Sequence, residues 1–336
     1  MSSARIEVVR GARGAELGDE IVAFWSGRGA LTEPVARQRL TDVVAILRDE
    51  SGAVAGVNSV YADQVSLIGD RRFWIYRSFV PDADEETVLE MMEVAFAELD
   101  ASFEPISNDP IGLLVLAERG SNHPAEVVWP GKAGFMYAGQ LPGGVEARVA
   151  YFEGALIGPG QGAQGEAEPR LGEGLRIAPF ADQDEVSEQD VIDLWAREGA
   201  VTGEEARRRI LEVLLVGIHD EAGVVGVSSA YLQRNSQLDT QLWYYRAFVA
   251  NRFRMSSMAI LLALQGRDLL KQRYIEGADS RASGLIYEVE NPGLKAHFNH
   301  ATWFPTLFTF IGENPRGDHV RVHWFPGARA PSPGAA

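Results

Sequence analysis

The chain repeats itself, and this constrains its fold more than any other feature. Trp25 and Trp195 stand 170 positions apart, and at that spacing Gly29, Ala30, Thr32, Arg37 and Arg39 meet Gly199, Ala200, Thr202, Arg207 and Arg209. Gly56, Val57, Ser59 and Tyr61 meet Gly226, Val227, Ser229 and Tyr231 in the same way. The spacing slips to 169 where Trp74, Tyr76, Arg77, Phe79 and Val80 meet Trp243, Tyr245, Arg246, Phe248 and Val249. It becomes 173 where Gly139, Arg148, Val149, Phe152 and Gly154 meet Gly312, Arg321, Val322, Phe325 and Gly327. Matches spread this widely with such small drifts mean a duplicated domain. The expected domains are 5–157 and 175–330, joined by a linker at 158–174 that is rich in Gly, Glu and Gln and poor in apolar residues. The tail, 331–336, is expected to fray.

The second copy gives the cleaner pattern. Leu175 to Phe180 alternates like a short strand, and Val191, Leu194 and Trp195 mark a helix over 186–197. Thr202 with Glu205 three residues on predicts a capping box for a second helix ending near Val213. Strands are expected at 214–218, 224–231 and 241–249, the first two joined by a turn at Glu221-Ala222-Gly223. The apolar stripe Met258, Leu261, Leu262 and Leu269 predicts the main helix over 255–272. A short strand at 274–278, a short helix at 291–301 and a hairpin of 306–311 with 320–325 complete the unit. The fold class is therefore α/β, with sheet and helices in each of two tandem domains.

Composition narrows the functional classes. The 336 residues are 46% hydrophobic and 23% charged, as in ordinary globular proteins, and there is no apolar run long enough to span a bilayer. The first ten residues lack the apolar stretch of a secretory signal, so a cytoplasmic location and no membrane partner are expected. Cysteine is absent, which removes disulfides and thiolate metal sites. No metal site is expected: His319 and His323 fall in an expected strand, where four residues span about 13 Å. The net charge of −16 argues for solubility first and against a large phosphate-binding footprint. No Walker loop, dinucleotide fingerprint or Ser-His-Asp elbow is present.

The element order resembles the GNAT acyltransferase fold, and the resemblance covers both copies. It implies a central mixed, mostly antiparallel sheet flanked by helices in each. The phosphate-binding signature of that family, Val-x-x-x-x-Gln/Arg-x-x-Gly-x-Gly/Ala, follows its fourth strand and runs into its main helix. Here the matching stretch runs from Val249 to Ala259, with Arg254 at the Gln/Arg position, Ala259 at the last small position and Ser257 in place of a glycine. Physics supports the match independently, since a helix N-terminus carries unpaired N–H groups and partial positive charge. Small residues at Ser256, Ser257 and Ala259 would let a pyrophosphate approach, and Arg252 and Arg254 add charge. The plainer alternative is a basic loop with an ordinary helix cap. Phe248, Val249, Met255 and Met258 complete the expected cofactor-binding stretch, and acetyl-CoA or another acyl-CoA is the implied co-substrate. In the first copy Pro81 to Thr87 holds Asp82, Asp84, Glu85 and Glu86, with Glu85 aligned to Arg254. Carboxylates suit a helix N-terminus but repel a pyrophosphate, so the first copy is expected to be degenerate.

The resemblance also implies a closing helix with an Asn and then a Tyr that protonates the departing thiolate. Asn291 and the segment 296–303 resemble that region, but Phe298 stands at the Tyr position and has no proton to give. His297, its neighbour, is the first candidate replacement, because imidazole titrates near neutrality. His300 lies three residues beyond it, and both histidines could equally be surface residues. Tyr244 and Tyr245, on the strand before the loop, could orient an amine. The match of Tyr245 to Tyr76 favours a shared structural role.

The expectation is an acyl-CoA-dependent N-acyltransferase acting from the second domain on a small-molecule amine. Neither nucleic acid nor membrane is expected as a partner, and a monomer or homodimer is. The alternatives are a non-catalytic acyl-CoA or metabolite-binding protein and tRNA-dependent aminoacyl transfer.

Overall fold

A computed structural model describes residues 5–11, 14–105, 110–118, 123–159, 162–163 and 168–331. Parts of the expected linker and most of the expected tail lie outside this set. The chain divides into two compact units, Met1–Gly158 with Arg329–Ala336, and Pro159–Ala328.

The first unit runs β1 (Arg5–Val8), α1 (Ala15–Gly27), α2 (Glu33–Arg39), β2 (Val43–Arg48), β3 (Val54–Val65), β4 (Arg71–Phe79), α3 (Glu85–Asp100), β5 (Gly112–Ala117), β6 (Met136–Leu141) and β7 (Val145–Tyr151). Its sheet has the order β1-β2-β3-β4-β5-β7-β6, and β4 with β5 is its parallel pair. The second unit runs β8 (Leu175–Pro179), α4 (Glu188–Arg197), α5 (Gly203–Arg209), β9 (Val213–His219), β10 (Gly223–Asn235), β11 (Thr240–Val249), α6 (Met258–Ile275), β12 (Gly284–Val289), α7 (Pro292–His297), β13 (Thr302–Trp303), β14 (Phe308–Glu313) and β15 (His319–Trp324). Its sheet order is β8-β9-β10-β11-β12-β15-β14-β13, again with one parallel pair, β11 with β12. Both sheets are thus mixed and mostly antiparallel, and both are flanked by helices, the architecture of tandem GNAT-like domains.

Burial follows the strand period. On β9, Val216 and Ile218 join the core under α4 and α5, whereas Leu215 points to the other face and packs with Met258 and Leu262 of α6. A strand apolar on both faces needs a helix on each side. On α4, Val191, Leu194 and Trp195 are the buried residues, at three-residue and adjacent spacing, and complete burial of one such side chain contributes about 1.5–3 kcal/mol.

Four local readings change. The capping box belongs to α4: the Ser187 hydroxyl accepts from Asp190 N–H while Asp190 accepts from Ser187 N–H. Thr202 makes no side-chain cap, and the Glu205 carboxylate is held by Arg209 at 2.6 Å and by Arg208. The expected strand at 274–278 is the end of α6. The helix stops where Gly277 takes φ 72°, left-handed backbone that suits a glycine after a C-cap. The strand of that part of the fold lies later, at Gly284–Val289.

Candidate active site

The two parallel strands of the second unit stay together briefly. β11 and β12 pair at Trp243–Leu285 and Tyr244–Ile286, and both continue beyond the pairing, to Val249 and Val289. From Tyr245 and Tyr287 onward the two strands are no longer paired with each other. The first unit parts in the same way after Tyr76 and Val115.

β11 leads directly into the loop before α6. Ala250 N–H donates to Val225 O at 2.8 Å, and Asn251 N–H donates to Glu198 Oε2 at 3.0 Å, which fixes the start of the loop. A single 3-10 turn, Asn251–Phe253, follows. The Arg254 Nε donates to Val249 O at 3.3 Å, the Arg252 guanidinium lies 5.6 Å from the Phe253 ring centre, and both arginines stay exposed. The Ser256 hydroxyl donates to Phe253 O at 2.6 Å and accepts Met258 N–H at 3.3 Å. Ser257 is the N-cap residue and makes no side-chain cap. The first N–H taken up by a carbonyl at this end is that of Leu261, to Ser257 O. Those of Ala259 and Ile260 belong to the orphan set that every helix start presents. No acidic residue stands in this first turn.

The expected cofactor-binding residues therefore divide into two groups. Arg252, Arg254, Met255, Ser256, Ser257 and Ala259 surround the helix start, with Met255 fully exposed at 99%. Val249 and Met258 are buried on the α6 face, and Phe248 packs on the α4 side, so these three build the scaffold. Met258 occupies a groove left by two glycines. A Cβ on Gly217 would lie 2.5 Å from its sulfur, and one on Gly226 would lie 3.2 Å from its Cγ.

The matching helix start of the first unit is closed by its own chemistry. Asp84 caps α3 by accepting Thr87 N–H at 2.8 Å, and Glu85 and Glu86 fill the first turn. That hydrogen bond holds the Asp84 carboxyl below its ordinary range, so it is an anion at neutral pH.

The segment after β12 carries the remaining candidates. The Asn291 amide oxygen caps α7, accepting from Gly293 N–H at 2.8 Å and Leu294 N–H at 3.2 Å. His297 ends the helix with an exposed ring, edge-on to Phe298 at 4.6 Å. Its carbonyl accepts Ala163 N–H at 2.8 Å, and His300 Nε2 bonds to Gly162 O, so two residues of the expected linker lie against this segment. Phe298 is half-buried against Trp303 at 6.3 Å, and the Trp303 indole N–H donates to Phe298 O at 2.6 Å.

The two candidate tyrosines face opposite sides of β11. The Tyr244 hydroxyl accepts from the Asn235 amide at 3.0 Å, and its ring lies 5.3 Å from that of Tyr231. Burial pushes its phenol upward, partly offset by Asn235. Tyr245 is 3% exposed and packs among Ala230, Leu270 and Phe308. Burial drives its phenol far above the ordinary range, so it stays protonated and cannot serve as a base near neutrality. Sequence reasoning missed Tyr287, which lies 6.0 Å from Tyr245 on the partner strand, because the strand was placed ten residues too early.

No family model and no curated relative matches the chain. Solved structures with a similar fold include an acetyltransferase of the GNAT family from Streptococcus pneumoniae, 11% identical, covering 45% of this chain and 99% of that one, with a TM-score of 0.33. A GCN5-related N-acetyltransferase from Sphaerobacter thermophilus is 11% identical over 80% of this chain and 83% of that one, with a TM-score of 0.23. AtaT complexed with acetyl-methionyl-tRNAfMet is 11% identical over 35% of this chain and 80% of that one, with a TM-score of 0.25. Likeness at this identity concerns the fold alone. It nevertheless corrects the expectation of a small-molecule amine acceptor and no nucleic acid, because a tRNA complex stands among the structural neighbours. Net charge sums the whole surface, so a value of −16 does not by itself exclude such a partner.

Proposed function

We propose that the second of these two tandem GNAT-like domains binds an acyl-CoA and transfers its acyl group to a nucleophile. The pyrophosphate lies at the N-terminus of α6, held by orphan N–H groups and by Arg252 and Arg254. The thioester arm enters between β11 and β12 beyond their last pair, where the backbone of β11 orients it. Catalysis is then chiefly positioning of acceptor against thioester.

One observation carries this reading. Two helices in matching places start with opposite electrostatics: α3 with a capping Asp84 followed by Glu85 and Glu86, α6 with no first-turn acid and two arginines on the approach. Two like charges about 4 Å apart repel by about 4 kcal/mol at an effective dielectric near 20, enough to exclude a pyrophosphate from α3 and leave α6 as its place.

The experiment is calorimetry with acetyl-CoA followed by free-thiol release in the presence of acceptors of graded size, from amino acids through peptides to aminoacyl-tRNA. Binding lost in Arg254→Glu, with thiol release dependent on one acceptor class, supports transfer. Binding without release from any acceptor favours the non-catalytic alternative. Absence of binding to any CoA thioester ends the proposal.

A further inference from the structure

We infer that a crevice of the second unit, between the start of α4 and the β9–β10 turn, binds a guanidinium group carried on an aliphatic stem. The crevice is open to solvent and has a volume of about 300 Å³. Val186, Ile218 and Val224, all buried, supply its apolar part. Arg176, Glu185, Asp190 and Asp220 supply its charged part, three carboxylates against one cation.

The first unit shows what the matching place holds. Arg48 on β2 stands opposite Arg5 on β1, as Ile218 on β9 stands opposite Arg176 on β8. The Arg48 guanidinium donates to Glu7 Oε2 at 2.9 Å, to Glu20 Oε1 at 3.0 Å and to Gly52 O at 2.7 Å. A strand, a helix and a turn thus close on one cation. In the second unit β8, α4 and the β9–β10 turn stand in the same places, but isoleucine has replaced the arginine. Asp190 keeps the acid of Glu20, 170 positions on. Ala178 stands at the register of Glu7, and Glu185 and Asp220 bring the negative charge instead.

The carboxylates keep capacity for a ligand. Asp190 takes both the N–H and the hydroxyl of Ser187 on Oδ2, and these bonds hold its carboxyl below the ordinary range, so it is an anion at neutral pH. Arg176 donates to Asp220 Oδ1 at 2.9 Å and to Glu185 Oε2. Among the described residues Asp190 Oδ1, Glu185 Oε1 and Asp220 Oδ2 take no hydrogen bond. The excess of negative charge selects a cation. A guanidinium spreads five N–H donors in one plane and can serve several carboxylates at once, as Arg48 does, whereas an ammonium is a compact point charge. The buried valines and isoleucine then take the methylenes of its stem.

The test titrates the full-length protein, without coenzyme A, with butylguanidinium and with its neutral isostere butylurea. The backbone amide signals of Gly223 and Val224 are followed by nuclear magnetic resonance. Butylguanidinium should shift them saturably, and butylurea should not. N-acetylarginine amide carries the same head on a peptide unit. Comparable affinity for it would identify a chain-borne arginine as the occupant and markedly weaker affinity a small molecule, and either result keeps the guanidinium site. Glu185→Gln combined with Asp220→Asn leaves Arg176 unopposed and should weaken butylguanidinium by about tenfold or more. The urea midpoint of this variant should stay close to that of the wild type, because exposed ion pairs add little stability. Ile218→Arg returns to the second unit the residue of the first and should abolish binding. Absence of saturable shifts, equal binding of butylurea, or undiminished affinity in the carboxylate variant would overturn the assignment.

Discussion

The guanidinium carbon of Arg321 lies 4.0 Å from the centre of the Trp303 ring, and both side chains grip one stretch of backbone. Arg321 donates to Ala301 O at 3.1 Å and His300 O at 2.9 Å, while Trp303 donates to Phe298 O. The segment after α7 is thus held by a fully buried cation that donates to its backbone carbonyls. The first unit repeats the stack, with Arg148 4.6 Å from the Trp129 ring, but adds the Glu146 carboxylate at 2.8 Å. Arg321→Ala takes a donor from His300 O and from Ala301 O, the latter keeping only the Phe310 N–H, and uncovers the indole, and should cost about 3 kcal/mol in urea unfolding. Arg321→Lys should recover less than half of this, because an ammonium lacks the planar fork that serves ring and carbonyls together.

Gly266 and Tyr245 set a second constraint, inside α6. A Cβ on Gly266 would stand 2.9 Å from Tyr245 Cε2, and that ring is hemmed in by Tyr287 and Phe308. Alanine gains about 1 kcal/mol in helix propensity over glycine. The overpacking outweighs it, so Gly266→Ala should be destabilising by about 1–2 kcal/mol net. Introducing Gly266→Ala into a Tyr245→Leu background should remove the penalty. A double-mutant cycle with no coupling would show that the ring is not the obstacle.

The fold was legible because the duplication imposed one pattern twice. Strand alternation and helix stripes recovered most elements of the second unit. What failed was local. Tyr274 and Ile275, an apolar pair before a glycine, read as a strand but end a helix, and this hid Gly284–Val289 and with it Tyr287. The basic approach to α6 was visible as residues, but which of them reach the helix start was not. Met258 and Val249 lie in the same short motif as Arg254, yet they face the core, since a loop between strand and helix has no fixed period to sort inside from outside. Arg321 was visible only as a match to Arg148. That it pins the 298–303 segment depends on pairing across three strands, which no local pattern encodes.

His323 should make stability pH-dependent. Burial first, and the nearby Arg267 charge second, hold its pKa down to about 4 from an ordinary 6.5. Between those values the unfolded chain binds a proton that the folded one does not, so stability falls as pH drops from about 6.5 toward about 4 and levels off below. Replacing His323 by Gln should flatten this part of the stability profile, measured by urea midpoints across pH. An unchanged slope in the variant would assign the acid sensitivity to other groups.

Ser257→Asp tests whether stability and ligand binding compete at one helix end. Ser257 has ψ 7° where the capping Asp84 has the extended 172°, so aspartate here acts on α6 mainly as a negative charge beside its first-turn N–H groups. A carboxylate at this helix end contributes about 0.3–1 kcal/mol through the dipole. The same carboxylate stands where the pyrophosphate is proposed to lie. The variant should therefore unfold at higher urea concentration than the wild type while its affinity for acetyl-CoA falls at least tenfold. Stabilisation with undiminished affinity would place the diphosphate elsewhere, because an anion cannot share those N–H groups with a carboxylate.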